Sequence, residues 1–286
     1  MKYFYLGIHK AASTWLISLL YDIGEYMRLN HEHFHSEKIF NYDLNKTIFN
    51  RNLDFISYTN ADYRTIETLN LEFKGFHVIR DPRDMVVSSY FSHLNSHSDY
   101  MWPELNEYRR ELKSLNVSDG LMATMKHLDN LIIDGCSVKI FENLKGWDFH
   151  NSNILELKFE DIVKNPYIII PEVFEYLGLL NRGSKNRFRN TITENLVDLK
   201  QNLSVEMVNS KRQYIHLETL LHFIYKHDFY FKSQGRAKGQ LKENSHYRKG
   251  LSGDWINYFN ENHISHFKDN YGELLIKLNY EKNLDW

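Results

Sequence analysis

Tyr3-Phe4-Tyr5-Leu6-Gly7-Ile8 runs without interruption into His9-Lys10-Ala11-Ala12-Ser13-Thr14-Trp15, and the reading of this junction decides the fold. The first six residues form the short apolar run expected of a strand buried on both faces. Beyond the junction Trp15, Leu16, Leu19, Leu20, Ile23 and Met27 recur at helical spacing, so a helix follows, with Ser13 as its expected cap. A strand that feeds a helix through small residues makes an anion site. Ala11 and Ala12 let backbone N–H groups approach a ligand, the helix N-terminus adds partial positive charge, Ser13 and Thr14 add hydroxyls, and Lys10 adds a full charge. The loop is not a Walker A motif, which needs two glycines and a Lys immediately before the helix. Here Lys10 opens the loop and neither glycine is present, which argues against a small-molecule P-loop kinase.

Outward from this junction, Leu53 to Tyr58 and Gly75 to Ile79 read as strands, and Asp81-Pro82 opens a helix with Pro at its first position. Trp102 to Ile133 is loosely helical. Ser137 to Phe141 and Asn153 to Phe159 read as strands, and Pro171 starts a helix that Gly178 ends. Beyond Leu180 the chain is polar and expected to be mostly helical as far as Trp255, with a last helix near Tyr271 to Leu278. The alternation predicts an α/β fold, a P-loop-like parallel sheet with helices on both faces, in a single domain over residues 1–286. Ligands bind such sheets at the carboxyl ends of the strands, so the loops after Ile8, Tyr58 and Ile79 are expected to gather at one edge.

Composition narrows the function classes. The 286 residues are 42% hydrophobic and 25% charged, with a formal net charge of −2, so no bulk field favours nucleic acid or a membrane surface. No run approaches the roughly 20 apolar residues of a membrane span, and no signal peptide is read at the start. A cytoplasmic protein is the simplest expectation. Cys136 is the sole cysteine, so no intrachain disulfide forms, and the histidines show no metal-ligand spacing with cysteines. The exception to the flat charge balance is local: Lys232, Arg236, Lys238, Lys242, Arg248 and Lys249 face one acid, Glu243.

Two further segments suit phosphate. Arg80 ends a strand in Val78-Ile79-Arg80-Asp81-Pro82-Arg83-Asp84, with Ser88 eight residues beyond it. His246-Tyr247-Arg248-Lys249-Gly250-Leu251-Ser252-Gly253-Asp254-Trp255 places two cations beside a glycine. The three segments together resemble the PAPS-dependent sulfotransferases (PAPS is 3′-phosphoadenosine-5′-phosphosulfate), especially the cytosolic type and its bacterial relatives. That family has, in order, a loop like Pro-Lys-Ser-Gly-Thr-Thr-Trp, an Arg-Asn/Asp-Pro-Arg/Lys-Asp segment with a Ser eight residues after its first Arg, and Arg-Lys-Gly-x-x-Gly-Asp-Trp. Phe159-Glu160-Asp161 through Asn165-Pro166 is similar to the family's Tyr-Glu-Asp segment.

The resemblance implies sulfuryl transfer from PAPS to a hydroxyl or amine of a small-molecule acceptor, a natural product or a sugar, with release of PAP and no metal. It implies that Lys10, Ala11, Ala12, Ser13, Thr14 and Trp15 hold the 5′-phosphosulfate end, with Trp15 against the adenine. Arg80, Ser88, Arg248, Lys249 and Gly250 would hold the 3′-phosphate, and Phe159 stands where the family often has a Tyr that bonds adenine. Lys10 would stabilise charge on the leaving oxygen. Several positions depart from the pattern: Ala11 and Ala12 replace Ser and Gly, and His9 replaces the usual Pro. The family's dimerisation segment is not recognisable in Ile256 to His263, so the oligomeric state stays open. The family's base is a His in Lys-Thr-His about 22 residues before the Arg, and counting back from Arg80 reaches Tyr58 in Ser57-Tyr58-Thr59-Asn60. The substitutes are Glu32 and His33, in His31-Glu32-His33-Phe34-His35, since carbohydrate sulfotransferases place a catalytic Glu at a similar distance from the Lys and an unperturbed His titrates near neutrality. Asp62, His93 and His97 are weaker candidates. The missing Lys-Thr-His leaves a non-catalytic PAP-binding or adaptor protein as the alternative.

Overall fold

The computed structural model describes residues 1–100, 102–183 and 210–286. Five strands form a parallel sheet: β1 (Lys2–Gly7), β2 (His31–Phe34), β3 (Phe55–Thr59), β4 (Phe73–Ile79) and, later in the chain, β7 (Ile154–Lys158). Their spatial order is β2-β3-β1-β4-β7, so the first strand lies at the centre. Tyr3 sits opposite Phe55 on one side, and Lys2 opposite Phe73 on the other. The remaining strands are short: β5 (Leu131–Ile133) with β6 (Cys136–Val138) as an antiparallel pair, and β8 (Leu180–Asn181) with β9 (Ile215–His216).

Burial on both faces explains why β1 is a continuous apolar run. Tyr5 enters one core with Leu16, Leu19, Phe76, Val86 and Val87. Phe4 and Leu6 enter a second core on the opposite face, with Phe34, Phe40, Ile56 and Tyr58. The helices among the described residues are α1 (Ser13–Met27), α2 (Leu44–Asn50), α3 (Tyr63–Glu67), α4 (Pro82–Phe91), α5 (Leu105–Ser114), α6 (Val117–His127), α7 (Ile140–Gly146), α8 (Phe159–Lys164), α9 (Pro166–Tyr176), α10 (Leu217–Lys226), α11 (Phe229–Lys232) and α12 (Glu261–Lys277). Among the described residues no helix is long and apolar enough to cross a membrane.

Several local expectations change. Ser13 is not the cap of α1: Ala12 occupies that position, and Ser13 Oγ donates to the Ile8 carbonyl at 3.3 Å. The cluster at residues 31–35 contains an edge strand, β2, rather than only a loop. Residues 137–141 contribute β6 and then turn into α7, and α9 starts at Pro166, with Pro171 inside it. The helical expectation beyond Leu180 falls partly on residues 184–209, which lie outside the described residues. Of the rest, residues 233–253 are irregular, punctuated by Gly235, Gly239, Gly250 and Gly253 at positive φ. α4 continues into one π-turn, Ser92–Ser96, closed by the His97 N–H on the Ser92 carbonyl at 2.7 Å.

α4 carries site residues, so its packing matters. A Cβ at Gly120 of α6 would meet the Tyr90 ring at 2.4 Å. Gly120→Ala is therefore expected to destabilise the fold by about 1–3 kcal/mol through overpacking, read as a lower urea midpoint at unchanged slope.

Candidate active site

Three distant segments meet at the carboxyl edge of the sheet around a cavity of about 430 Å³. The first wall is the turn from β1 into α1. Lys10 and Ala12 lie in the left-handed region, at φ 65° and 67°, a conformation that costs a side-chain-bearing residue roughly 1–2 kcal/mol. The turn is held by the Ala11 N–H on the Ile8 carbonyl at 3.0 Å. Strain of this kind persists where the surroundings over-determine it, which is common at ligand clamps.

The second wall begins where β4 ends. Arg80 donates from Nη1 to the Lys10 carbonyl at 3.0 Å and stands 4.5 Å over the Phe159 ring. Its other end lies 3.7 Å from the Asp84 carboxylate. Arg80 Nε is buried without a partner, a donor whose desolvation costs about 1–3 kcal/mol until something accepts from it. Ser88, farther along α4, lines the same cavity.

The third wall is the Arg248-Lys249-Gly250 turn. Both cations pair with the buried Asp254, Lys249 at 2.5 Å. Burial alone would raise the Asp254 carboxyl, yet Lys249 and Arg248 hold it below the usual carboxylate range. Arg248 also lies 4.7 Å over the Phe91 ring. A Cβ at Gly250, where φ is 70°, would sit 2.6 Å from Phe229, so only glycine fits. Arg236, one cation of the basic run, is a staple for this turn: it donates to the carbonyls of Tyr247 (2.5 Å), Arg248 (3.2 Å) and Gln240 (2.9 Å). Asp84 anchors the far end by accepting from the Gly253 and Trp255 N–H groups at 2.6 and 3.0 Å.

The cavity thus brings together Lys10, Ala12, Ser13, Thr14, Trp15, His33, Arg80, Ser88, Phe159, Arg248, Lys249 and Gly250. Ala11 is wholly buried in the core and is absent from that wall. Glu32, the other candidate base, is not part of that wall either. Side chains alternate along a strand, so His33 turns to the cavity, its Nε2 2.9 Å from Thr59 Oγ1, while Glu32 faces away and pairs with Arg51 at 2.5 Å. Asp62 caps α3 and is paired with Arg64. His97 lines the cavity and His93 is buried behind the wall. The sequence reading missed Phe229, whose role appears only through contact with Gly250, together with His35, Thr59, Asn60 and His246. It noted His9 only as a replaced Pro.

Positive groups dominate the lining. Burial, then the Arg80 charge, pushes the Lys10 ammonium down to about 7. His97 is pushed to about 4 by burial and Lys10, and His33 to about 4 by burial and His35. Burial depresses these bases first and neighbouring charges second, and beside them the Arg80 Nε has no acceptor. Among the described residues no group of His, Cys, Asp and Glu is placed to hold a metal ion.

A family model described as the sulfotransferase domain matches residues 2–279. Among solved structures, mouse sulfotransferase SULT7A1 complexed with PAP matches with a TM-score of 0.57 at 15% identity, covering 96% of this chain and 84% of that one. Retinol dehydratase in complex with androsterone and inactive cofactor PAP matches with a TM-score of 0.48 at 14% identity, covering 96% of this chain and 81% of that one. The first likeness shows a shared fold. No curated protein sequence matches.

Asp84 can be tested without a ligand. Asp84→Ala removes the buried acceptor of two N–H groups and is expected to cost about 1–3 kcal/mol. Amide hydrogen exchange at Gly253 and Trp255 is expected to accelerate more than in the sheet.

Proposed function

The chain belongs to the sulfotransferase domain family, and on that premise we propose that it transfers a sulfuryl group from PAPS to a hydroxyl or amine of a small acceptor, releasing PAP. The observation that carries this reading is the single cavity shared by the Lys10–Trp15 turn, Arg80, Ser88 and the Arg248–Gly250 turn. PAPS is a polyanion with a purine, and these walls offer fixed cations, helix-terminal donors and aromatic faces in one place.

In this reading the turn at residues 10–15 takes the 5′-phosphosulfate end. Arg80, Ser88, Arg248, Lys249 and Gly250 take the 3′-phosphate, which supplies the acceptor that Arg80 Nε lacks and draws Arg248 and Lys249 off Asp254. Trp15, Phe159 and Phe229 frame the adenine. Lys10 neutralises charge on the oxygen that leaves as the acceptor attacks sulfur in line, so catalysis is positioning plus charge stabilisation. The rest of the lining, with His33, Thr59, Asn60, His97 and Trp102, suits a polar or aromatic hydroxyl compound such as a natural product or a sugar.

The direct test is a thermal-shift titration with PAP beside AMP and ATP. A ligand that binds only the folded state stabilises it by mass action. PAP is expected to raise the melting temperature and Arg248→Ala to abolish the rise. Equal stabilisation by ATP with Mg²⁺ would sink the cofactor assignment.

pH gives a second test. Lys10 titrates at about 7 in the free protein, and a neighbouring phosphate raises that value. Its contribution to PAP binding is therefore complete below about pH 7 and is lost as pH climbs toward the raised value. Calorimetry at pH 8 in buffers of different ionisation enthalpy is expected to show proton uptake on PAP binding, and Lys10→Gln to remove it.

A further inference from the structure

The cofactor reading leaves one pair of imidazoles unused. His9, the neighbour of Lys10, lines the cavity. His93, on the π-turn after α4, is wholly buried behind it. Their Nε2 atoms are 2.9 Å apart, so one ring donates and the other accepts. His9 Nε2 is thereby engaged, which leaves its Nδ1 for the cavity. His93 Nδ1 is buried without a partner.

The pair is rigidly framed. Arg109 of α5 clamps the carbonyls of His93 and His97 at 2.7 and 2.6 Å. The buried Trp102 ring stands edge-on to His9, His93 and His97, at centroid distances of 6.1, 4.9 and 5.2 Å. π-turns of this kind are frequent at functional sites.

Resting on the sulfuryl transfer proposed above, we infer that His9 is the base that takes the acceptor's proton, with His93 as the positioning residue that shares it. The acceptor O–H (or N–H) bond breaks and its proton moves to His9 Nδ1. The Nε2 proton of His9 is shared with His93 Nε2 across their hydrogen bond, so the new charge spreads over two rings. The freed electron pair forms the bond to sulfur, and the bridging S–O pair leaves on the phosphate of PAP. Nothing is oxidised or reduced.

Burial, then Lys10, holds the His9 imidazole well below its ordinary value, and burial, then His9 and Lys10, does the same for His93, so the proton is taken only as the bond to sulfur forms and is shared between the two rings. His33 is less well placed. Thr59 holds its Nε2, and β2 lies two strands from β1, roughly 10 Å at the usual strand spacing. His9 instead shares one turn with Lys10. The charged and titratable groups facing the pair are Lys10 on its own turn, His97 on the π-turn, Tyr108 and Arg109 of α5, His127 of α6 and, beyond His97, His246 of the third wall.

The test uses the full chain with PAPS and a panel of small phenols and alcohols, comparing His9→Asn, His93→Gln and His33→Asn. His9→Asn is expected to lower kcat about 100-fold, the usual scale of general-base catalysis, while keeping the PAP thermal shift. Its kcat–pH profile is expected to lose the acidic limb. His93→Gln is expected to lower kcat about 10-fold and to move that limb. His33→Asn is expected to act on KM and to leave the limb in place. If His9→Asn keeps kcat within about 3-fold with an unaltered profile, the pair is structural and the inference falls. Imidazole ¹⁵N resonances of the wild-type PAP complex give a second readout that needs no acceptor. Coupled titration of His9 and His93 supports the pair, and independent titration overturns it. Absence of a PAP thermal shift in the wild type is a different result, which sinks the reaction rather than the base.

Discussion

One buried carboxylate, Asp84, holds the site in register. It sits in the first turn of α4, where the helix macrodipole favours negative charge, and it is 1% exposed. A charge this deep is tolerable only when it is hydrogen-bonded and paired. Two N–H groups of the third wall and the nearby Arg80 guanidinium meet that demand. Because the same carboxylate touches both segments, Arg80 and the Arg248 turn cannot drift apart. The linkage continues outward. Trp255, fixed through its amide, lies 4.0 Å under Arg83, which pairs with Asp81 and Glu281 and also covers Trp286. Glu281 and Trp286 are thus tied to the opening of α4.

Around this anchor the cavity holds more positive charge than its own acids offset. Asp254 serves as the internal counter-ion for Arg248 and Lys249. The unpartnered Arg80 Nε, the depressed Lys10 ammonium and the left-handed Ala12 are costs on the same small surface. A polyanion offsets the first two directly, and it fits the backbone shape that the third maintains. Unfavourable features that cluster and share one remedy define a binding site more firmly than any single residue does.

The central sheet was legible in the sequence because strands covered on both faces are mostly apolar, with only Asp54, Ser57 and His77 interrupting the three runs. Tyr3 to Ile8, Leu53 to Tyr58 and Gly75 to Ile79 could hardly be anything else. β2 was not legible, because His31-Glu32-His33-Phe34 lies at the sheet edge and turns His33 toward the polar cavity. Without the strand, its alternation was hidden, and Glu32 and His33 looked equivalent. The cap of α1 was misread because Ser13 has the right chemistry, while the left-handed backbone puts Ala12 at that position. Arg248 and Gly250 were readable only as members of an ordered motif set. The contacts that shape their turn, with Arg236, Asp84 and Phe229, join residues far apart in the chain and leave no local pattern.

The central place of β1 also sets the order in which the protein can assemble. Both of its neighbours come later in the chain, with Tyr3 paired to Phe55 and Lys2 to Phe73. No hairpin can protect it, and each pairing closes a long loop before any contact compensates, which slows folding. During synthesis an apolar strand with two open edges therefore waits until the chain has grown past Ile79. In that interval the segment that will frame the anion turn is also the one most exposed to mispairing. The strand at the middle of the sheet thus precedes both of its partners in the chain.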